Sequence, residues 1–451
     1  MTDPSDLTIR EASQGIEDGV FSPVQLVESC LNRINQVETR LKAWVQVLEE
    51  QAIERAEQAT REIESRGKKG PLHGIPIGIK DIYYTKGIRT TACSKIRADF
   101  IPEYDSTAVA KLKKAGAIVL GKTVTTEFAA GDPPVTVNPW NAAHTPGGSS
   151  SGSAVAVSSG MCPGAMGSQT GGSILRPASY NGIVGLKPTF GRVSVYGVIP
   201  VAWSLDTIGP LVRSVRDAAI ILQATAGYDD NDPGSARIPV PNYLAKIGQL
   251  DKPPKIGLVK DFFMDNSSLN VRSNTEETLH KLSLAGAEVD IVSLPKSFTK
   301  SMAIQWVIMN VESAAYHEEE FRVRADDYSE QLRKRIELGF LTSAISYIQA
   351  QRFRRVFRRD LDALAGRWDV LITPSTPTSA PKDLSTTGDP MFQSPWTLAG
   401  LPAITIPSGI DSSSGMPLGI QLVASSFAED RLLAVAHWCE DVLGVRLKPP
   451  M

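Results

Sequence analysis

Apolar residues recur at two different spacings along the chain, and the switch between them outlines its elements. Through residues 7–66 the period is helical: Val24, Leu26, Val27, Cys30, Leu31 and Ile34 share one face, and Pro23 stands directly behind Ser22 where a helix would start. Residues 75–82 form a short β-branched run beside Gly74 and Pro76, which predicts a strand or the lead-in to one, with Lys80 near its end. Residues 107–115 return to the helical period ahead of the apolar run 117–120. From 132 to 153 the chain is rich in Pro, Gly, Ser and Asn, so this stretch reads as a linker or as a functional loop.

The carboxyl half repeats the alternation. Residues 255–259 and 288–292 read as strands around a helix near 271–285; 369–373, 403–407 and 419–423 read as further strands, and 428–443 as a closing amphipathic helix. Such alternation predicts an α/β fold. The polar, proline-containing segment 228–254 is the best candidate for a boundary, although an insertion into one domain explains it equally. Neither an internal repeat nor a low-complexity tract interrupts the pattern.

Composition narrows the function. Forty-seven Lys and Arg balance 49 Asp and Glu, which leaves no electrostatic footprint for nucleic acid or an anionic membrane, so a small-molecule partner is expected. No stretch approaches the roughly 18 apolar residues of a membrane span, and the opening MTDPSDLTIREAS lacks a basic region followed by an apolar one, which predicts a soluble, cytoplasmic protein. Cys30, Cys93, Cys162 and Cys439 lie far apart with no CxxC pair, which argues against a zinc site and against a disulfide framework; no metal or other cofactor is expected.

Three fragments carry candidate chemistry: Lys80 in GIPIGIKD, Ser149 in TPGGSSSGSAVAV and Ser173 in GSQTGGSILRPAS. A lysine amine, a bridging serine and a second serine among glycines supply a base, a proton relay and a nucleophile without any histidine. Singly, each has an ordinary reading: a surface lysine paired with Asp81, a flexible linker, and a Gly-Gly turn with a capping serine. Against the linker, the cluster at 147–153 runs straight into a small apolar helix at 154–158 and soon reaches a second glycine-rich serine. Gly171 and Gly172 let the backbone bend tightly, so that the amides of Thr170, Gly171, Gly172 and Ser173 turn towards one point, as a developing oxyanion requires. A lysine base must be neutral at working pH, so burial has to lower its pKa from about 10.4, and Ile75, Ile77, Ile79 and Ile82 supply the apolar flanks.

Two rival signals fail on context. GAIVLGKT at 116–123 satisfies the phosphate-binding pattern GxxxxGK[ST], but a helix precedes it and its four middle residues make a strand in their own right. His73, His144, His280, His317 and His437 carry no HExxH or Ser/His/Asp signature; His73 and His144, which lie near the motifs, are expected in local hydrogen bonds.

Together these residues resemble the amidase signature family. The resemblance runs through GPLHGIPIGIKD (70–81), GKT and EFA (121–129), NPWN (138–141), PGGSSSGSA (146–154), TGGSI (170–174), GIVGLKPTFGRVS (182–194), DVLITPSTPT (369–378) and LAGLPAITIPSG (398–409). It spans nearly the whole chain and is weakest over 228–340. It implies a single domain over 1–451, a mixed and largely central β-sheet with helices on both sides, a helical segment at 1–66 packed on it, and a variable insertion or lid at 228–340. It further implies that Ser173 is the nucleophile, Ser149 the bridging serine held by a cis peptide, and Lys80 the base. Ser150 and Ser151 are alternatives to Ser149, which follows Gly147-Gly148 where the family pattern places the bridge. Ala129, Ser150 and Gln169 are the candidates for substrate contact, and Tyr83, Tyr84, Trp203, Trp306, Phe392 and Trp396 for apolar walls. The implied activity is hydrolysis of amides, with esters and carbamates also suited to the nucleophile, by a monomer or homodimer.

The chain departs from the family where Asp and Arg commonly stand and it has Gln169 and Leu175. Losing both partners of a buried ion pair strands no charge, so intact catalysis with a reshaped support is expected, Arg176 being the candidate substitute. A second reading is the glutaminase subunit of a transfer-RNA-dependent amidotransferase: YIQAQRFRR (347–355) resembles the segment that supplies an arginine to glutamine's carboxylate, here Arg354. No residue of GDPMFQSPW (388–396) is assigned as the accompanying acid, and the chain ends soon after its last helix, so a stand-alone hydrolase is favoured. A non-catalytic binding protein on the same scaffold is the third, and the presence of Lys80, Ser149 and Ser173 argues against it.

Overall fold

The structure is a computed structural model that describes residues 3–130 and 132–451. Among these, eleven strands join in one sheet: β1 (Trp44–Val47), β2 (Pro76–Lys80), β3 (Ile118–Thr123), β4 (Gly164–Gln169), β5 (Val184–Lys187), β6 (Thr207–Val212), β7 (Lys255–Val259), β8 (Glu288–Val292), β9 (Val370–Pro374), β10 (Ala403–Ile410) and β11 (Pro417–Val423). Their order is β1-β3-β2-β4-β6-β5-β10-β11-β9-β7-β8. The sheet is mixed, β2 running parallel to β3 and β4, and β7 parallel to β8 and β9, while the remaining neighbours are antiparallel. Helices cover both sides, as expected of the α/β fold. Every residue of β4, β6, β9 and β11 is buried, whereas the edge strand β8 is largely exposed.

The amino-terminal helices are α1 (Ile9–Glu17), α2 (Pro23–Leu41) and α3 (Glu49–Arg66). Capping boxes Thr8/Glu11 and Ser22/Gln25 start α1 and α2, and Pro23 occupies the first helical position, where its missing N–H costs nothing. The helical reading of 7–66 needs one correction: Lys42 turns left-handed at φ 51° and the chain continues as β1, antiparallel to β3. Next come α4 (Thr107–Lys114), α5 (Ser151–Ser158), α6 (Leu175–Asn181), α7 (Val215–Thr225), α8 (Tyr243–Lys246) and α9 (Leu269–Leu284). Helix α10 (Ser301–Arg324) packs against both α11 (Glu330–Leu341) and α12 (Ala344–Ala365), ahead of α13 (Ser394–Ala399) and α14 (Glu429–Leu443).

Strands β7 and β8 appear at their expected residues and extend the same sheet beyond the 228–254 segment. The phosphate-loop look-alike is β3, with Lys122 fully buried. No described helix is long and apolar enough to cross a membrane.

Candidate active site

The parallel register of β2 sets Lys80, its last residue, opposite Thr123 of β3. Lys80 is fully buried, and its Nζ donates to Ser149 Oγ at 2.7 Å, Ser168 Oγ at 2.8 Å and Ser150 Oγ at 3.0 Å. Burial lowers its pKa to about 7, while the charge of Asp206 pulls the other way. A lysine ringed by hydroxyls and desolvated to this degree can accept a proton near neutrality.

Ser149 reaches the lysine from the loop that ends in α5. Gly147 there has φ +75° and the Gly148–Ser149 peptide is cis. A side chain at either glycine would collide, a Cβ at 147 coming within 2.9 Å of the Pro177 Cα and one at 148 within 2.8 Å of Thr387 Cγ2. Of the three adjacent serines, Ser149 both meets Lys80 and lines a cavity of about 190 Å³. Ser151 begins α5, and Ser150 is turned to Lys80 and to the backbone of Ser168.

Ser173 lines the same cavity from the turn between β4 and α6. Each carbonyl of that turn is tied back: Gln305 Nε2 donates to Thr170 O, Thr397 Oγ1 to Gly171 O, the Arg176 amide to Gly172 O and the Ser150 amide to Ser173 O. With its carbonyls tied back, the segment Thr170, Gly171, Gly172 and Ser173 walls the cavity. Ser149 and Ser173 share the cavity, but no hydrogen bond joins their hydroxyls among the described residues.

The other expected residues divide. Ala129 lines the cavity, with φ 57° just behind Phe128. Ser150 and Gln169 do not line it, a correction with a clear cause: Gln169 is fully buried, its Oε1 accepts from the Ile174 and Leu175 amides, and its Nε2 donates to Thr397 Oγ1. A neutral amide thus braces the turn where the family commonly has a carboxylate. Arg176 does not rebuild the missing ion pair; it donates to Gly388 O, Gly148 O and Thr387 Oγ1, clamping the loop before Ser149. Arg354 lies outside the cavity, donating to Leu398 O and Ser204 O. Of the aromatic candidates Trp306 lines the cavity, whereas Tyr83, Phe392 and Trp396 are core. His73 and His144 make local bonds, to Glu62 and to Ala380 O.

Sequence reasoning missed Ser168, Asp206, Gln305 and Arg335. Asp206 is buried, accepts from Thr170 Oγ1 and the Val201 and Ala202 amides, and is pushed up to about 7 by burial. With Ser168 and Trp203 it lines a second cavity of about 270 Å³, which Ser173 does not line. Only Ser168, within the GSQTGGS run, left a sequence signal.

The mixed sheet holds Lys80 against Ser149, and the loop of Ser149 and the tied-back turn of Ser173 share one cavity wall. The family model described as Amidase matches residues 25–433, and the chain belongs to that family, as an Amidase-family C–N hydrolase. It is 39% identical over 471 residues, 96% of each chain, to the A subunit of glutamyl-tRNA(Gln) amidotransferase from Geobacter sp. (strain M21). Among solved structures, a chain of an inhibitor-bound vestigial protein complex that reveals the evolutionary origins of an s-triazine catabolic enzyme is 32% identical with a TM-score of 0.91, covering 98% of this chain and 100% of its own. The corresponding glutamyl-tRNA(Gln) amidotransferase chain of Thermotoga maritima is 35% identical with a TM-score of 0.81, covering 97% of this chain and 94% of its own. These relatives favour the amidotransferase reading over the stand-alone hydrolase preferred from sequence.

Proposed function

We propose that the protein cleaves an amide C–N bond by acyl transfer to Ser173. Neutral Lys80 takes the proton of Ser149 Oγ, Ser149 takes that of Ser173 Oγ, and the freed oxygen attacks the substrate carbonyl. The amides of Thr170, Gly171, Gly172 and Ser173 receive the oxyanion. As the tetrahedral adduct collapses, the relay returns the proton to the departing nitrogen, and water then attacks the acyl ester with its proton passing back along the same serines. The observation that carries this reading is the 2.7 Å bond from a fully buried lysine to a serine on the cavity wall. The open Ser149–Ser173 link closes when substrate fills the cavity, since catalytic hydrogen bonds often tighten only in the Michaelis complex. Esters and carbamates suit the same nucleophile.

Ser173→Ala tests it. The variant should fold normally, lose fluorophosphonate labelling and lose turnover by on the order of 10³-fold or more. A folded variant hydrolysing amides at near wild-type rate would remove Ser173 from the mechanism.

The full-length identity to amidotransferase chains supports a second reading, in which the same chemistry releases ammonia from glutamine within a larger assembly. Arg354 is committed to two backbone carbonyls, so glutamine's carboxylate would need another partner. Glutamine turnover that appears only with added partner proteins, acceptor transfer RNA and ATP supports this reading; partner-independent turnover of simple amides supports the free enzyme.

A further inference from the structure

The cavity beside Ser173 is lined by two arginines and by no aspartate or glutamate. One of the two is occupied: Arg176 gives its guanidinium to Gly388 O, Gly148 O and Thr387 Oγ1. Arg335, on α11, is different. Its guanidinium lies 5.4 Å from the Trp306 ring centroid, and Nη1 stands 3.9 Å from Met309 Sδ, so two residues of α10 hold it without neutralising it. Among the described residues no carboxylate comes within 4 Å of it, while Arg333 on the same helix pairs with Asp326 and Glu337. The acid it feels is Asp132, whose Oδ2 accepts from Ser329 Oγ. Burial lowers the Arg335 pKa to about 10, which leaves it charged at neutral pH.

A half-buried cation with no carboxylate within 4 Å, set in the wall of the cavity beside Ser173, is an arrangement that a ligand completes. The planar guanidinium fork matches a carboxylate with two parallel N–H···O bonds. Gln305 adds a second open position: its Nε2 holds Thr170 O at 2.6 Å, and its buried Oε1 has no partner, so it can accept from a substrate N–H. At about 190 Å³ the cavity is small beside those that hold drug-sized ligands, which points to a short substrate.

Resting on the acyl-transfer reading above, we propose that the site selects small amides whose acyl part ends in a carboxylate, such as monoamides of short dicarboxylic acids, and that Arg335 is the residue that binds this carboxylate. Trp306, whose ring lies against the guanidinium, supports it from α10.

The test compares glutaric acid mono-p-nitroanilide with its neutral counterpart, valeric acid p-nitroanilide, in the full chain. Wild type should favour the anionic substrate by at least about tenfold in kcat/KM. Arg335→Gln should lower kcat/KM for the anionic substrate by about 100-fold, mostly through KM, and change the neutral one less than about threefold, as expected for a charged hydrogen-bonded pair. Arg335→Lys should recover part of the loss. Independently of turnover, glutarate should raise the melting temperature of Ser173→Ala, and adding Arg335→Gln should abolish that shift. If Arg335→Gln fails to fold, Arg335→Lys and Trp306→Ala carry the same comparison. Equal hydrolysis of both anilides with no glutarate shift overturns the carboxylate proposal and leaves acyl transfer standing. A glutarate shift that depends on Arg335, with neither anilide hydrolysed by wild type, upholds the carboxylate site and counts against acyl transfer. A shift that survives Arg335→Gln overturns the assignment to Arg335.

Discussion

Two buried lysines on adjacent strands meet different fates. Lys80 ends β2 and Lys122 lies one step out of register with it on β3, since Lys122 pairs with Ile79 and Lys80 with Thr123; the two side chains therefore leave opposite faces of the sheet. Both are fully buried and both are lowered by burial, Lys80 to about 7 and Lys122 to about 8. Lys122 donates to Tyr83 O, Thr90 Oγ1 and Thr85 Oγ1, with Asp81 Oδ1 3.8 Å away. Lys80 meets serine hydroxyls, one of which opens onto the reaction cavity. Burial alone therefore does not distinguish the proposed base from a structural lysine. The difference is a hydroxyl that lines the cavity, against a carbonyl, two buried threonine hydroxyls and a nearby carboxylate.

The strongest way to break the contrast is to replace each lysine by methionine. Lys80→Met should cost about 10²- to 10⁴-fold in kcat with the fold retained. Lys122→Met should keep activity within about tenfold but lose on the order of 3–5 kcal/mol in urea unfolding, because it leaves the Asp81 carboxylate buried and unpaired. Equal activity losses in the two variants would erase the distinction.

Next in size is pH. Activity should rise with pH through about 7 as Lys80 loses its proton, and this profile should be the same in Lys122→Met. The stability effect has a definite sign: an unfolded lysine keeps its proton up to about 10.5, while folded Lys80 keeps it only to about 7, so across that window the unfolded state binds more protons and stability rises with pH. Lys80→Met should accordingly be more stable than wild type at pH 6, with the gap closing towards pH 10, as read from denaturant midpoints. A gap that does not change with pH would mean that Lys80 titrates alike in both states.

The smallest effect is expected at Ser150. Its hydroxyl touches Lys80 but faces Ser168 and lies outside the cavity, so Ser150→Ala should lower kcat less than about tenfold where Ser149→Ala lowers it by on the order of 10³-fold. The reverse order would move the bridge to Ser150.

Much of the sheet was legible because its strands announce themselves locally: β7 and β8 are short runs rich in Val and Ile that end where the pattern says. Strand β4, GAMGSQ, has no such signature; it is a strand because β2 and β6 flank it, and a Cβ at Gly167 would sit 2.6 Å from Leu211 Cδ1. Strand β1 was hidden for a related reason, four residues between long helices that pair only with distant β3. At the candidate site, Lys80, Ser149 and Ser173 could be singled out because each sits in a glycine-marked turn or at a strand end, and the structure sets Lys80 against Ser149 and puts Ser149 and Ser173 on one cavity. Gln169 stands out in sequence as unusual, but its side chain lies on the far side of the turn from the cavity, since sequence order does not say which way a buried side chain faces.

Local chain chemistry singled out Lys80, Ser149 and Ser173 as candidates for base, bridge and nucleophile, because turn glycines, apolar flanks and hydroxyls act through near neighbours in sequence. It could not settle the surroundings. That Lys80 meets Ser168, that Asp206 stands near it, and that Arg335 from α11 faces the cavity of Ser173 without an anion all depend on segments far apart in the chain packing around one sheet. Desolvation and charge pairing are set by those long-range neighbours, and so only the folded molecule decides which buried lysine meets a serine of the cavity and which arginine lines it without an ion-pair partner.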